Sequence, residues 1–239
     1  MNFPLPGVII PVTDISPKTL ILYGPPKIGK TQICAALPSY ILLDIEHGSS
    51  YFQGTKAILE NILQITAFEE FVKKNNKPYK FIVVDTLDEL EVWCEQEATR
   101  RYKATIIGKN FSGSSVLELA QGGGYLHLRN IWYEYFNRLR QLAQYVIFIG
   151  HVKDKMLTIN SKETAAADLD LTGKVKNITC SYADAIAHAF RDKDGSLKLT
   201  FITKDTANCG SRCQHLAGKE FTFNNPATIE NWRQIYVEI

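Results

Sequence analysis

The sequence lacks the features that mark several large classes of protein. Its apolar stretches, such as residues 145–150, are far too short to span a bilayer. Its five cysteines are an odd number scattered along the chain, which does not resemble a disulfide framework. The N-terminus has no basic start followed by an apolar segment, so no signal peptide is evident. We therefore expect a reducing, cytoplasmic setting and no association with a membrane.

No charge of one sign dominates the composition. Lysine and arginine together number 27 and aspartate and glutamate 25, which gives a net charge of +2 with neutral histidine. This balance excludes a polycation of the histone type, although a local stripe of basic residues could still contact nucleic-acid phosphates. The hydrophobic fraction of 45% is typical of globular proteins, and 239 residues suffice for one large domain. We expect a single domain over residues 1–239.

The order of apolar segments predicts an α/β fold. Residues 1–18 carry four prolines and are expected to form an extended lead-in. Four short apolar strands follow, with helical spacing of apolar residues between them, at residues 19–23, 40–44, 81–85 and 146–149. Such alternation indicates a mostly parallel, twisted sheet with helices on both faces. Residues 185–201 predict an antiparallel hairpin at one edge of the sheet.

Two segments, residues 106–124 and 152–172, fit neither a strand nor a helix. The first is rich in glycine, serine and asparagine, and the second mixes lysine, aspartate and small residues. Long irregular insertions within a compact domain are usually functional or disordered. We expect both segments to be mobile loops with a function, the alternative being passive surface loops.

The strongest motif is the octet at residues 24–31, GPPKIGKT, which fits the pattern G-x-x-x-x-G-K-[ST] in full. Backbone N–H groups of such a loop surround a phosphate, and the following helix points its positive end at the same anion. Lys30 would reach the β- and γ-phosphates, and the Thr31 hydroxyl would ligate Mg²⁺. The residues expected to bind ATP are Gly24, Pro25, Pro26, Lys27, Ile28, Gly29, Lys30, Thr31 and Gln32.

Two carboxylates follow predicted strands and could complete the site. Asp85 ends the apolar run that begins at Phe81, the Walker B pattern, and would hold Mg²⁺ through a water molecule. The AAA+ class places a glutamate directly after this aspartate, but here that position is Thr86. The other carboxylate is Glu46, which could polarise the water that attacks the γ-phosphate. The alternative is that Asp44 and Glu46 only cap the next loop.

These motifs, in this order, resemble those of RecA-class ATPases over roughly residues 15–205. The resemblance implies a RecA-like P-loop core, with ATP and Mg²⁺ as cofactors and with Lys30 and Glu46 as catalytic residues. Phe148–His151 is similar to the RecA strand that ends in a polar γ-phosphate sensor at the base of the second DNA-binding loop. The resemblance gives that role to His151, although bacterial RecA has glutamine there; an ordinary strand-end histidine is the alternative.

In a chain of 239 residues, we expect neither the N-terminal helical domain nor the separate C-terminal domain that are usual in full recombinases. The chain therefore resembles the RecA-core-only ATPases of phages that are associated with recombination and single-strand annealing. This resemblance implies single-stranded DNA as the partner and makes residues 106–124 and 152–172 candidate DNA loops. Aromatic residues that could stack on bases are Tyr102, Phe111 and Tyr125. Basic residues near the loops are Arg100, Arg101, Lys103, Lys109, Lys153, Lys155, Lys162, Lys174 and Lys176. A solvated charged surface is the alternative.

The same resemblance implies self-association into a ring or filament in the cytoplasm of a bacterial host. A basic residue from the adjacent subunit would then complete the ATP site, with Lys204 and Arg212 as candidates. Phage or host recombination proteins are expected as further partners.

Other functions remain open at this stage. A nucleotide-operated switch could assemble proteins without touching DNA, and P-loops also serve small-molecule and nucleotide kinases. Such kinases need an arginine-rich lid, which the sequence does not show. Cys209, Cys213 and His215 could be soft metal ligands, but structural zinc usually takes a second, distant pair of ligands. We expect ordinary reduced thiols.

Overall fold

The computed structural model describes residues 11–159, 162–204 and 207–239, with the side chains of residues 154–165 excepted. The strands within these ranges are β1 Thr19–Gly24, β2 Tyr40–Asp44, β3 Lys56–Ile58, β4 Phe81–Asp85, β5 Tyr145–Ile159, β6 Lys162–Leu169, β7 Ala185–Arg191, β8 Leu197–Thr200, β9 Gly210–Ser211 and β10 Glu220–Phe223. The α-helices there are α1 Lys30–Cys34, α2 Ile62–Lys74, α3 Leu87–Lys103, α4 Gly124–Leu139, α5 Gly173–Tyr182 and α6 Ile229–Arg233. None of the helices described is long and apolar enough to cross a bilayer.

The strands form one sheet in the order β10-β8-β7-β1-β5-β4-β2-β3, with β6 paired to β5 and β9 to β7. The central strand β1 is parallel to both β5 and β7, and the pairs β5–β4, β4–β2 and β2–β3 are also parallel. The pairs β7–β8 and β8–β10 are antiparallel. The strand that leads into the glycine-rich octet therefore lies in the middle of the sheet.

Both faces of the sheet are covered, which explains the unbroken apolar runs. Alternate side chains of a strand point to opposite faces, so Leu20 and Leu22 pack on one side and Ile21 and Tyr23 on the other. Helices α2 to α5 cover the side of Ile21 and Tyr23, and helices α1 and α6 cover the side of Leu20 and Leu22. The predicted α/β architecture is confirmed, with a mostly parallel sheet, helices on both faces and the β7–β8 hairpin towards one edge.

The segment at residues 152–172 is a hairpin rather than an irregular loop. β5 continues past the sheet to Ile159 and pairs in antiparallel register with β6, from Val152 opposite Leu169 to Ile159 opposite Lys162. The expectation of an irregular segment was wrong because a two-stranded ladder is held by backbone hydrogen bonds. It needs no buried apolar face, so lysine, aspartate and alanine can occupy it without showing a strand pattern.

The segment at residues 106–124 contains short 3₁₀ turns at Gly108–Asn110, Val116–Glu118 and Ala120–Gly122. The turn at Val116 packs against α3. The Val116 side chain is fully buried, and the Val116 N–H donates to Oγ1 of Thr99 in α3 at 2.8 Å. Ile106 and Ile107, which follow α3, are almost fully exposed. The role of this segment as a mobile DNA loop stays a prediction.

The lead-in at residues 1–18 falls partly outside the described ranges. Residues 1–10 lie outside them, and residues 11–18 form neither helix nor strand. The backbone reaches β1 at Thr19, whose N–H donates to a carboxylate oxygen of Asp184 at 2.9 Å. The start of the sheet is therefore tied to the residue that precedes β7.

Candidate nucleotide-binding site

A cleft of about 580 Å³ opens at the carboxyl ends of four adjacent parallel strands, β1, β5, β4 and β2. The register places Gly24 opposite His151, and Asp85 opposite Asp44. Ligands of open α/β sheets bind at this end of the strands. The cleft is lined by Pro26, Lys27, Gly29, Lys30, Thr31, Gln32, Glu46, Gly48, Tyr51, Phe52, Asp85 and His151. Most of the predicted site residues therefore share one cavity; Gly24, Pro25 and Ile28 belong to the loop but do not line it.

Two glycines explain the shape of the loop. At Gly24 a Cβ atom would lie 2.4 Å from the carbonyl oxygen of Ala189, so β7 could not pack this closely against any other residue. Gly29 has a φ of 110°, a backbone conformation that side-chain-bearing residues rarely adopt. The chain can therefore turn tightly from β1 into α1 at the edge of the cleft.

Lys30 is buried beneath the loop and reaches back across it. Its Nζ donates hydrogen bonds to the carbonyl oxygens of Gly24 at 2.9 Å and Pro25 at 2.8 Å. Burial lowers the pKa of Lys30, and the nearby carboxylates of Asp85 and Glu46 act in the opposite direction. A phosphate in the cleft would offer this ammonium group a charged partner in place of two neutral carbonyl groups.

Thr31 and Asp85 meet on the floor of the cleft. The Thr31 hydroxyl donates to Oδ2 of Asp85 at 2.7 Å. Burial raises the pKa of Asp85 to about 6; the hydrogen bond from Thr31 opposes this effect, and the charge of Glu46 adds to it. A cation bound here would favour the ionised carboxylate, because it would offset both the burial and the neighbouring negative charge.

Asp44 and Glu46 have different surroundings. The Asp44 carboxylate is buried and accepts hydrogen bonds from the backbone N–H groups of Gly48 at 3.1 Å and Ser49 at 3.0 Å. Asp44 therefore caps the loop after β2, the role that the alternative interpretation gave to both Asp44 and Glu46. The Glu46 carboxylate is half exposed and lines the cleft. Its backbone N–H donates to the carbonyl oxygen of Asp85 at 3.1 Å, which holds Glu46 beside the end of β4.

His151 faces Glu46 across the cleft, and a carboxylate that the sequence analysis missed lies behind it. The Nε2 atom of His151 is 3.9 Å from Oε2 of Glu46, and its Nδ1 atom is 2.7 Å from Oδ2 of Asp88. Asp88 lies three residues after Asp85, in the first turn of α3. That spacing is a signal, since the first turn of the helix after β4 must begin at the same end of the sheet.

Aromatic residues at the mouth of the cleft were also missed. Tyr51 and Phe52 lie just after the Asp44-capped loop and line the cavity, and Tyr51 is 98% exposed. Neither lies in a motif, so no sequence signal marks them. The two basic residues proposed to act on an adjacent subunit, Lys204 and Arg212, do not line the cleft of their own chain. Arg212 donates to the carbonyl oxygen of Ser181 at 2.7 Å.

The side chains of Cys209 and His215 in the C-terminal region contact the backbone. The Cys209 thiol lies 3.0 Å from the carbonyl oxygen of Ile202, and Nε2 of His215 lies 2.9 Å from that of Ile235. Within the part of the chain that the structure describes, no three His, Cys, Asp or Glu side chains are grouped to hold a metal ion.

Comparison with known proteins identifies a family for this chain and solved structures that resemble it. The AAA_24 family model, described as an AAA domain, matches residues 16–215, which is most of the chain. No curated protein matches the sequence. Among solved structures, the crystal structure of the RadB recombinase is similar over 88% of this chain and 88% of its own, at 14% sequence identity and a TM-score of 0.49. We infer nothing about function from a likeness at that level.

Proposed function

The chain belongs to the AAA-domain family, and from this premise and the cleft we propose that it is a Mg²⁺-dependent ATPase that acts on single-stranded DNA in recombination or annealing of the phage type. One observation carries the proposal. A phosphate-binding loop with Lys30, an oxygen pair at Thr31 and Asp85, and the facing side chains of Glu46 and His151 share one cleft. These are the groups that ATP binding and hydrolysis require.

The residues present fit a magnesium ion. Mg²⁺ prefers oxygen ligands and keeps several of its water molecules, and the Thr31 hydroxyl and Asp85 carboxylate are such oxygens, 2.7 Å apart. We propose that Thr31 holds the ion directly and that Asp85 holds it through water. When bound, Mg²⁺ neutralises charge on the phosphate oxygens.

Glu46 is the group we assign to the attacking water. Its carboxylate would orient the water and accept a proton as the oxygen attacks the γ-phosphorus and the bond to the ADP oxygen breaks. Lys30 and His151 would offset the negative charge that spreads over the γ-phosphoryl oxygens. Glu46 suits this role because it lines the cleft while Asp44, two residues earlier, is engaged in capping a loop.

Thr31 gives a direct test of the metal site. We expect Thr31→Val to lower kcat about 100-fold and to raise the Mg²⁺ concentration needed for half-maximal rate, because valine keeps the shape but lacks the hydroxyl. Thr31→Ser keeps the hydroxyl and should retain activity within about threefold of wild type. Phosphate release during a Mg²⁺ titration measures both. Equal activity of the valine and serine variants would contradict the assignment.

A groove of about 430 Å³ supports the proposed binding of single-stranded DNA. It is lined by Gly122 from the first candidate loop, by Thr172 from the second, and by Tyr125, Arg129 and Lys174. Tyr125 is 42% exposed, so part of its ring is open to solvent. An exposed aromatic ring beside two cations is the combination that binds unpaired bases and their phosphates. Arg129 was not singled out by the sequence analysis.

Other basic residues are less suited to DNA than the sequence suggested. Arg100 and Arg101 both form ion pairs with the buried carboxylate of Glu97, at 2.6 and 2.7 Å, and Arg101 also pairs with Glu134. Lys176 pairs with Asp168. The side chains of Lys155 and Lys162 lie outside the described residues. Tyr102 packs edge-on against Phe111 with ring centroids 5.4 Å apart.

The groove predicts a salt-dependent loss of DNA affinity. We expect Arg129→Ala combined with Lys174→Ala to weaken binding of a labelled oligonucleotide about tenfold or more at low salt. The slope of log affinity against log salt should fall by about 1 to 2, because two phosphate contacts are removed. Lys193→Ala combined with Arg233→Ala is the charge-matched control and should bind as wild type. Unchanged affinity of the groove variant in fluorescence anisotropy would contradict the assignment.

Self-association remains part of the proposal. We propose that a ring or filament places a basic residue, Lys204 or Arg212, at the cleft of the next subunit, and that phage or host recombination proteins load the assembly. The exposed Tyr51 at the mouth of the cleft supports this, since a second subunit would bury it.

A further inference from the structure

The Asp88 carboxylate forms two hydrogen bonds with one residue, His151. Its Oδ2 lies 2.7 Å from Nδ1 of the imidazole ring, and its Oδ1 accepts a hydrogen bond of 3.2 Å from the backbone N–H. Asp88 lies in the first turn of α3, which starts directly after β4 and faces β5 at this end of the sheet. One carboxylate therefore holds both the ring and the backbone of the residue that faces Glu46.

We propose that Asp88 is a positioning residue for ATP hydrolysis, which holds the His151 ring with Nε2 towards Glu46; this rests on the proposed function of the cleft. An ionised carboxylate only accepts hydrogen bonds, so Nδ1 carries the proton in this contact. Nε2 then lies 3.9 Å from the Glu46 carboxylate. Rotation of the ring about its Cβ–Cγ bond would break the contact with Asp88.

The charge of Asp88 also acts on the ring. Burial is the largest single influence and works to raise the pKa of Asp88, but the hydrogen bonds that the carboxylate accepts and the charge of the imidazole together outweigh it, so the pKa lies below its ordinary value and the carboxylate is ionised. The same hydrogen bond raises the pKa of His151, opposed by burial and by Lys30 and aided by Glu46. Three charged groups from α3, α1 and the loop after β2 thus face the ring. The hydrogen bond with Asp88 thus acts in favour of the doubly protonated ring, in which Nε2 is a donor.

The backbone of His151 is held from both sides. Its N–H donates to Asp88, and its carbonyl oxygen accepts from the N–H of Asp170 at 3.0 Å. The Asp170 carboxylate faces Lys153 at 3.4 Å rather than the ring. The next residue, Val152, begins the ladder with β6. Asp88 is therefore attached at the point where β5 leaves the sheet and enters the hairpin.

The test combines kinetics with a double-mutant cycle. We expect Asp88→Asn to lower kcat about tenfold with the KM for ATP within about threefold, since the nucleotide contacts are unchanged. In a His151→Gln background the same substitution should cost less than about twofold, because its target is gone. Glu91→Gln is the matched control: it lies one turn later in α3, accepts the N–H of Thr172 at 3.0 Å, and should leave kcat unchanged.

A pH profile distinguishes positioning from a general loss of structure. Protonated His151 is present below its pKa and is lost as the pH rises through it, so activity should decline on the alkaline side. Asp88→Asn removes the charge that raises this pKa and should shift the decline to lower pH. Equal costs of Asp88→Asn in the two backgrounds, or an unshifted profile, would overturn the proposal.

A measurement without turnover separates this proposal from the proposed function. Ring ¹⁵N resonances of His151, assigned by their absence in His151→Gln, report its protonation during a pH titration. We expect the pKa of His151 to be lower in Asp88→Asn than in wild type, with Glu91→Gln unchanged. An unchanged pKa in Asp88→Asn would overturn the positioning role. Absence of ATP hydrolysis by the wild type would instead refute the ATPase proposal and leave the titration decisive for Asp88.

Discussion

ATP turnover by the Lys30→Ala variant is expected to be at least about 100-fold below wild type, with ATP binding weakened as well. The Lys30 side chain is buried, and its ammonium group lies 2.9 and 2.8 Å from two carbonyl oxygens of the phosphate-binding loop. From there it can exchange those neutral partners for phosphate oxygens. Alanine removes the charge from a partly desolvated position, where a charged hydrogen bond is strongest. Phosphate release gives the rate, and calorimetric titration with ATP gives the affinity.

An exposed lysine outside the cleft offers a matched control. Lys193 lies in the turn between β7 and β8 and does not line the cleft. Lys193→Ala removes one positive charge at a distance from the phosphate-binding loop, so we expect ATP turnover within about threefold of wild type. Lys30→Ala that folds normally by circular dichroism and still turns over ATP at the wild-type rate would show that phosphates bind elsewhere.

Glu46→Gln is expected to separate binding from chemistry. Glutamine keeps the shape and hydrogen-bonding reach of glutamate but lacks the negative charge and cannot accept the proton of the attacking water. We expect kcat to fall at least about 100-fold while ATP affinity stays within about threefold. Loss of the carboxylate also removes a negative group 3.9 Å from Nε2 of His151.

Glu60→Gln is the control for this substitution. Glu60 is an exposed glutamate, and its nearest basic group is Nε2 of His47 at 3.6 Å rather than a residue of the cleft. Its replacement should leave both binding and turnover unchanged. A Glu46→Gln protein as active as the Glu60→Gln protein would exclude Glu46 as the group that activates water.

Much of the site could be predicted because its determinants are local. The octet at residues 24–31 requires glycines at fixed positions. In the structure Gly24 lies too close to the backbone of a neighbouring strand for a side chain, and Gly29 has a positive φ. Asp85 and Glu46 could be brought together from sequence alone, since the carboxyl ends of parallel strands meet at one edge of a sheet. The four predicted strands all belong to that sheet.

The remainder depends on contacts between elements that are distant in sequence. Asp88 acquires its position because the first turn of α3 faces β5, a relation that no spacing between residues 88 and 151 encodes. The β5–β6 hairpin could not be predicted from the sequence pattern, because backbone hydrogen bonds hold its two strands together and do not require particular side chains. In the sequence Arg129 is an ordinary polar residue of a helix. Only the fold shows that α4 and the start of α5 lie together and form the groove that Arg129 lines.

The most direct test of the central proposal is the rate of ATP hydrolysis by the wild-type protein during a titration with single-stranded DNA at two salt concentrations. We expect a saturable rise in the rate, at a DNA concentration that increases with salt, because phosphate contacts release counterions. The variant with Arg129→Ala and Lys174→Ala should keep the basal rate and need more DNA. A rate that does not respond to DNA, with no binding at low salt, would contradict the account and favour a nucleotide-operated assembly switch.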